Sequence, residues 1–408
     1  MGLDMASSDT ASVSWQKNLY AVFVAELLVM TGFSFVYPFM SLFIEKLGNY
    51  TTQEAAFWAG IAAGASGIAM FLSAPIWGIV ADRVGRKPMV LRAIFGGAVI
   101  VGLMGLAPNV PLLIIMRFLQ GALGGSIAAA SALVSSLTPR DKRPFAMGLL
   151  MTAVYTGNSI GPLLGGVAAD SLGYKTTFFI TGGLLLVGGL IVLFLVKEKF
   201  ERPAQGETAS VRSMLRLAGS MQILPLLIIQ FALQAGPNMV APIIPLLMQD
   251  LNPSGDAATS AGIAIGIAAV IAAISATIAG NLGARLSLKK ILVISCLGTC
   301  LAYLPPIWAA TVPQMITFIA LRGLVNGGIM TASYAILSLS VPSSQQGIAF
   351  GVGQSANALG SGLGPMIGGI LGSSLGLKHV FAFAAGMYLL TGLLVIKTLP
   401  RHPREAAD

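Results

Sequence analysis

The sequence predicts an all-α membrane protein, with twelve transmembrane helices in two pseudo-symmetric six-helix bundles. Three observations predict it. The chain of 408 residues is 55% hydrophobic and 10% charged, whereas a soluble domain carries about 25% charged residues. Apolar runs near the ~20 residues that cross a ~30 Å hydrocarbon core recur almost end to end. The second half also repeats the first at an offset of about 203 residues.

The apolar runs place helices at 18–45, 55–81, 88–107, 110–137, 144–170, 175–197, 222–249, 257–284, 289–309, 313–340, 347–373 and 378–399. The longest polar stretch carries Lys199, Arg202, Arg212 and Arg216. It reads as a linker, which gives an N-terminal segment 1–17, a first bundle 18–197, a linker 198–221, a second bundle 222–399 and a tail 400–408. With the N-terminus in the cytoplasm, about 19 of the 24 Lys and Arg fall on the cytoplasmic side, including Lys17, Arg83 to Arg92, Arg140 to Arg143 and Arg285 to Lys290. Lys46, Lys175 and Lys378 fall outside, and Arg117 and Arg322 fall within spans. The expected place is the inner (plasma) membrane, with N-terminus, linker and C-terminus cytoplasmic.

The repeat is read from matched strings. Gly157-Asn-Ser-Ile-Gly161-Pro162-Leu-Leu-Gly165-Gly166 aligns with Gly360-Ser-Gly-Leu-Gly364-Pro365-Met-Ile-Gly368-Gly369. Pro38 meets Pro242, and Gly60 and Gly78 meet Gly262 and Gly280. Duplication about a polar link is a transporter signature, and it places a substrate site between the halves near the midplane.

Composition also excludes. The net charge of +9 is spread between apolar runs, so no nucleic-acid partner is expected. The polar N-terminus lacks the pattern of a cleaved signal peptide. Cys296 and Cys300 share a helical face and read as packed thiols. No phosphate-binding G-x-x-x-x-G-K-S/T string occurs, and His379 and His402 stand far apart, so neither an ATP-driven pump nor a membrane enzyme is expected. No metal or cofactor is called for.

Four stretches carry mechanism. Gly78-Ile-Val-Ala-Asp82-Arg83-Val-Gly85-Arg86-Lys87 joins the second and third helices. Gly78 lets helices approach closely and Gly85 permits the tight turn. Asp82 can pair across the halves in one access state and release in the other. Arg117-Phe-Leu-Gln120-Gly121 lies on the fourth helix. A guanidinium within the membrane costs ~2.5 to 3.5 kcal/mol unless paired, so Arg117 needs a partner or a wet cavity. Gly157, Gly161, Pro162, Gly165 and Gly166 give the fifth helix close packing and a kink at Pro162. Glu26 is the one carboxylate well within a predicted span, about nine residues or ~13 Å past Lys17. Desolvation works against the ionised form of an acid, so Glu26 is a candidate to exchange a proton for a lipophilic cation.

Phe33, Ser34, Tyr37, Gln120, Tyr155, Asn158, Gln230, Gln234, Asn238, Tyr334, Gln354 and Asn357 are candidates to line the cavity, since polar side chains in membrane helices face the bundle interior. They describe a largely apolar pocket with few hydrogen-bonding groups.

These strings resemble the major facilitator superfamily. The Gly78–Lys87 stretch is similar to its G-x-x-x-D-R-x-G-R-R/K signature, Arg117–Gly121 to its R-x-x-Q-G motif, and Gly157–Gly166 to the antiporter motif of its exporter branch. The resemblance covers essentially the whole chain and is nearest to the twelve-helix drug:proton antiporters. It implies a role for Arg117 in proton transfer, a conformational latch at Gly78–Lys87, and partners limited to a small-molecule substrate, protons and the lipid bilayer, with the chain acting as a monomer. Where some drug exporters carry a second acid on the first helix, this chain has Ser34. The rival reading is an exporter or facilitator of one metabolite, such as a sugar, amino acid or lipid.

Overall fold

The structure is a computed structural model. It describes residues 15–198, 223–253, 255–282, 287–340 and 346–398. The N-terminal segment to residue 14, the linker from Lys199 onward, Arg285 and the tail with His402 lie outside the described residues, as does the side chain of Asp82.

The first crossing is α1 (Trp15–Phe35) followed by α2 (Met40–Gly48). Then come α3 (Thr52–Val84), α4 (Arg86–Met104), and a fourth crossing made of α5 (Val110–Leu123) and α6 (Ser126–Leu137). α7 (Arg143–Leu172) and α8 (Tyr174–Leu195) complete the first half. The second half holds α9 (Leu224–Val240) with α10 (Ile244–Leu251), α11 (Ala257–Leu282), α12 (Leu288–Tyr303), α13 (Val312–Leu339), α14 (Gln346–Leu375) and α15 (His379–Thr398). Ten spans are long and apolar enough to cross a membrane among the described residues. The glycine-rich α7 and α14 bring the crossings to twelve.

Three expected single helices are interrupted. Pro38 and Pro242, which lack an N–H, sit in the turns between α1 and α2 and between α9 and α10. The fourth crossing breaks at Gly124–Gly125, where Gly125 takes φ +97°, a conformation that favours glycine. By contrast α7 runs on through Pro162 and α14 through Pro365.

Helix ends sort into two faces. A basic face carries Lys17, Arg83, Arg86, Lys87, Arg140 to Arg143, Lys289 and Lys290, and the opposite face carries Lys46, Thr52, Lys175 and Lys378. The halves meet near the opposite face, α3 along α14 and α7 along α11. Glycines let backbones touch there: a Cβ on Gly60 would lie 2.8 Å from the Cα of Gly369, and one on Gly262 3.0 Å from the carbonyl carbon of Pro162. Two polar contacts cross the same seam. The Thr259 N–H, in the first turn of α11, donates to the Asp170 carboxylate at 2.7 Å, and Gln249 Nε2 donates to Glu45 Oε2 at 2.8 Å. Toward the basic face the halves part. Ala74, Pro75 and Ile76 are all exposed on α3, so more than one face of that helix is uncovered. Gly78 and Gly148 have open space around them. Gly78 therefore makes no close approach here.

Candidate functional site

The middle of the first half is built around one acid. Glu26 lies on α1 and is 1% exposed. Ser126, the first residue of α6, donates its hydroxyl to Glu26 Oε1 at 3.3 Å. The break at Gly124–Gly125 makes this possible, because it places a helix start at mid-membrane. The first N–H groups of a helix lack intrahelical partners and carry the positive end of its dipole. Glu26 thus faces a hydroxyl and a helix N-terminus. On the other side of the break, Trp77 covers the Ala122 carbonyl at the end of α5 and Arg92 covers the carbonyl of Gly124, which follows it.

Arg117 is 8% exposed on α5. Its Nη1 donates to Gln120 Oε1 at 3.0 Å, its Nε is buried without a partner among the described residues, and Tyr37 lies within electrostatic reach. Nine residues separate Arg117 from Ser126, about 13 Å along the crossing, so the structure does not join Arg117 to Glu26. Among the described residues the one ion pair is Lys142–Asp141, at 3.5 Å.

The Gly78–Lys87 stretch ends α3 and opens α4, with Gly85 at φ +101° forming the turn. Arg83 is exposed. The backbone N–H groups of Arg86 and Lys87 donate to the Glu198 carboxylate at 3.0 and 2.8 Å. Lys87 Nζ in turn donates to the carbonyls of Leu193 and Val196 at 2.8 and 2.6 Å. The start of α4 and the end of α8 therefore cap each other, an acid on the positive helix end and a cation on the negative one. Asn18 ties into the same corner, exchanging hydrogen bonds with the Lys197 backbone at 3.1 and 3.0 Å.

The glycines of α7 serve two faces. Gly157, Gly161 and Gly165 pack on α1 at Met30, Thr31, Ser34 and Phe35, while Gly166 packs on Ala258 of α11 and the Pro162 carbonyl meets Gly262. The second half reproduces the pattern. Gly360, Gly364 and Gly368 pack on α9, and Gly362 and Gly369 on α3.

Residues 22–236 and 226–408 match the family model described as Major Facilitator Superfamily. The chain belongs to the major facilitator superfamily. Multidrug resistance protein MdtG of Klebsiella pneumoniae (strain 342) is 32% identical over 407 residues, covering 99% of this chain and 98% of the relative. The protein of the same name in Enterobacter lignolyticus (strain SCF1) is 33% identical, covering 99% of both. Among solved structures, a bacterial homolog of the human lysosomal transporter Spinster, in an inward-facing and occupied conformation, has TM-score 0.77 at 14% identity and covers 93% of this chain and 96% of its own. The nucleoside transporter NupG has TM-score 0.78 at 12% identity, covering 94% and 100%. At such identities the structures speak for the fold alone.

The structure exposes some of the expected cavity residues and buries others. Tyr37, Tyr155 and Gln354 are exposed. Tyr334 donates to Gln354 Oε1 at 3.1 Å, and Asn357 Nδ2 donates to the Tyr334 hydroxyl at 2.6 Å. Tyr155, from the other half, lies within electrostatic reach of Tyr334. Phe33, Gln120, Asn158, Gln234 and Asn238 are half-buried, Phe33 against Gly97 and Asn238 bonded to the Gln234 carbonyl at 2.7 Å. Ser34 is a correction. It is fully buried, donating to the carbonyls of Met30 at 2.5 Å and Gly157 at 3.1 Å, so it seals α1 to α7 rather than lining a cavity. Gln230 is 1% exposed, with both carboxamide atoms unpartnered among the described residues. Cys296 is buried and Cys300 half-buried, and both are free.

Sequence reasoning passed over Ser126, Trp77, Arg92, Glu198 and Asp170. Arg92 counts toward the charges of the cytoplasmic side, and it lies inside α4. The Gly124–Gly125 pair in the middle of a span was the signal available for the first three.

Proposed function

We propose that this transporter exports lipophilic, drug-like or cationic small molecules in exchange for protons by alternating access. Glu26 is the proton carrier, with the basic face in the cytoplasm of the inner (plasma) membrane. The observation that carries the reading is the Glu26 carboxylate buried at mid-membrane against Ser126 and the start of α6. Among the described residues this carboxylate makes no ion pair, so it can exchange a proton for a cation without breaking one. The relatives' printed name supports the substrate class. The excess of Lys and Arg on one face supports the orientation, and with it the parted basic ends make this state inward-open. Arg117 takes part in proton transfer, as its family motif implies, and the Gly78–Lys87 stretch acts as the latch that closes the basic face, with Asp82 as its acid.

The driving force is adequate. One pH unit supplies ~1.4 kcal/mol per proton, and 100 mV adds ~2.3 kcal/mol per net charge moved. A neutral drug exchanged for one proton would then be held at a gradient of about several hundred-fold. The test is ethidium accumulation in inverted vesicles with an imposed pH gradient. Glu26→Gln is expected to reach the membrane in parental amounts and to accumulate nothing above equilibrium. A variant that still responds to the gradient as the parent does places the proton site elsewhere.

A further inference from the structure

We propose that Trp77 and Arg92 are positioning residues for the Glu26 site, gripping the broken end of α5 and tying the latch turn to the helix start that faces the acid. The proposal rests on the reading of Glu26 as proton carrier.

The grip is a closed triangle. Helix α5 ends at Leu123, and the last carbonyls of a helix lack partners. In a bilayer an unsatisfied backbone group is costly. Trp77 Nε1 donates to the Ala122 carbonyl at 2.6 Å. Arg92 Nη2 donates to the Gly124 carbonyl at 2.8 Å. The Arg92 guanidinium lies 3.9 Å from the centre of the Trp77 ring, a cation–π distance. Each donor is thus oriented by the other. Beyond the gripped Gly124 comes only Gly125, at φ +97°, before Ser126 and its bond to Glu26. Where Arg92 and Trp77 hold Gly124 decides where Ser126 stands.

The same pair flanks the latch. Trp77 immediately precedes Gly78 on α3, and Arg92 lies on α4 beyond the Gly85 turn. A movement of that turn is therefore carried directly to the break.

Among the described residues, the charged group held beside the Ser126 helix start is Arg92 itself, on the Gly124 carbonyl. On its own helix Lys17 lies at the basic face, with Tyr20 between. Of the elements packed on α1, α6 has no ionisable side chain. Helix α7 has Arg143 at the basic face, Asp170 at the opposite face and Tyr155 between. Helix α8 has Tyr174 and Lys175 at the opposite face. What governs the acid locally is the donor set that the clamp positions.

The second half supplies the control. It too has a glycine pair in the related stretch, Gly327–Gly328, but α13 passes through it unbroken. Against Gly328 stand Ser295 and Ala279, at 2.6 and 3.3 Å from where a Cβ would be. At the spacing of Pro38 and Pro242, Gln230 stands where Glu26 does. Clamp, break and acid occur together in one half and are replaced together in the other.

The experiment measures the pH dependence of gradient-driven ethidium export in inverted vesicles for the parent, Glu26→Gln, Trp77→Phe, Arg92→Met, Arg92→Lys and Ser126→Ala. Trp77→Phe keeps an aromatic face for Arg92 to stack on but removes the N–H, together with part of the indole. It carries the test if Arg92→Met fails to reach the membrane. The pH of half-maximal rate is independent of protein amount, and a mere structural brace would not move it. It is expected to shift by about half a unit or more in Trp77→Phe, Arg92→Met and Ser126→Ala, and by less in Arg92→Lys. Profiles that superimpose on the parent's, with only the rate lowered, overturn the clamp while leaving Glu26 in place. A Glu26→Gln variant that keeps the parent's pH response overturns the Glu26 reading, and the clamp with it.

Discussion

The two halves share a skeleton and differ in chemistry. Both use three glycines on one face of the interior helix to pack within the half, and one or two more on another face, Gly166 in the first and Gly362 and Gly369 in the second, to meet the other half. Both place a lysine from the third helix of the half on the carbonyls ending its sixth, Lys87 on Leu193 and Val196, Lys289 on Ile396. Yet Arg117 in the first half keeps a buried donor unpartnered among the described residues. Arg322, its relative in the second, donates to the Tyr303 hydroxyl at 3.1 Å and stacks on that ring at 5.1 Å. Glu26 has become Gln230, and the helix break has become continuous helix. On the proposed reading of Glu26, the second half is the passive frame against which the first half works.

The largest effect comes from exchanging that chemistry. A Glu26→Gln, Gln230→Glu double variant keeps composition and moves the acid to the related place in the second half. It is expected to leave ethidium accumulation at equilibrium, because α13 presents no helix start to Glu at 230. Recovery of uphill export would show that either half can host the proton and that the asymmetry is incidental.

The skeleton was legible in the sequence because repetition and apolar length leave strong periodic signals. The matched strings around Gly157 and Gly360 mark which helices correspond between the halves. The break was not legible. Gly124–Gly125 and Gly327–Gly328 are the same dipeptide, and only the neighbours decide their geometry: Trp77 and Arg92 cap freed carbonyls, whereas Ala279 and Ser295 are too small to do so. Ser34 misled for a related reason. Its position on α1 suggested the cavity, but whether a hydroxyl faces water or a neighbouring carbonyl depends on the rotation of two packed helices.

A middle-sized effect should come from the seam. Gly166 sits against Ala258 and Thr259, and Gly369 against Ala56 and Gly60. Valine at either position overfills a backbone contact, at a cost of typically ~1 to 3 kcal/mol. Both variants should part the halves at the opposite face, read as faster thiol labelling of a cysteine placed at Ala258 or Ala56. Equal effects would mark the seam as symmetric. Labelling raised by one variant alone would show that the α7–α11 and α3–α14 contacts carry unequal shares of the closure.

The smallest effect tests the corner caps. Removing the ammonium by Lys87→Met or Lys289→Met strips hydrogen bonds from helix-ending carbonyls near the basic face. Such bonds are worth about 1 kcal/mol each, somewhat more when charged. Lys87 serves two carbonyls of α8 beside a start of α4 that is itself held by Glu198. The loss in thermal stability, measured as aggregation temperature in detergent, should be comparable for Lys87→Met and Lys289→Met, because each ammonium caps the carbonyls ending the sixth helix of its half. Glu198→Gln should reproduce part of it, since an amide can supply only one acceptor oxygen where the carboxylate gives two. If Lys289→Met proves the more damaging, the second half is held by its corner rather than by its core, and its role as passive frame would have to be given up.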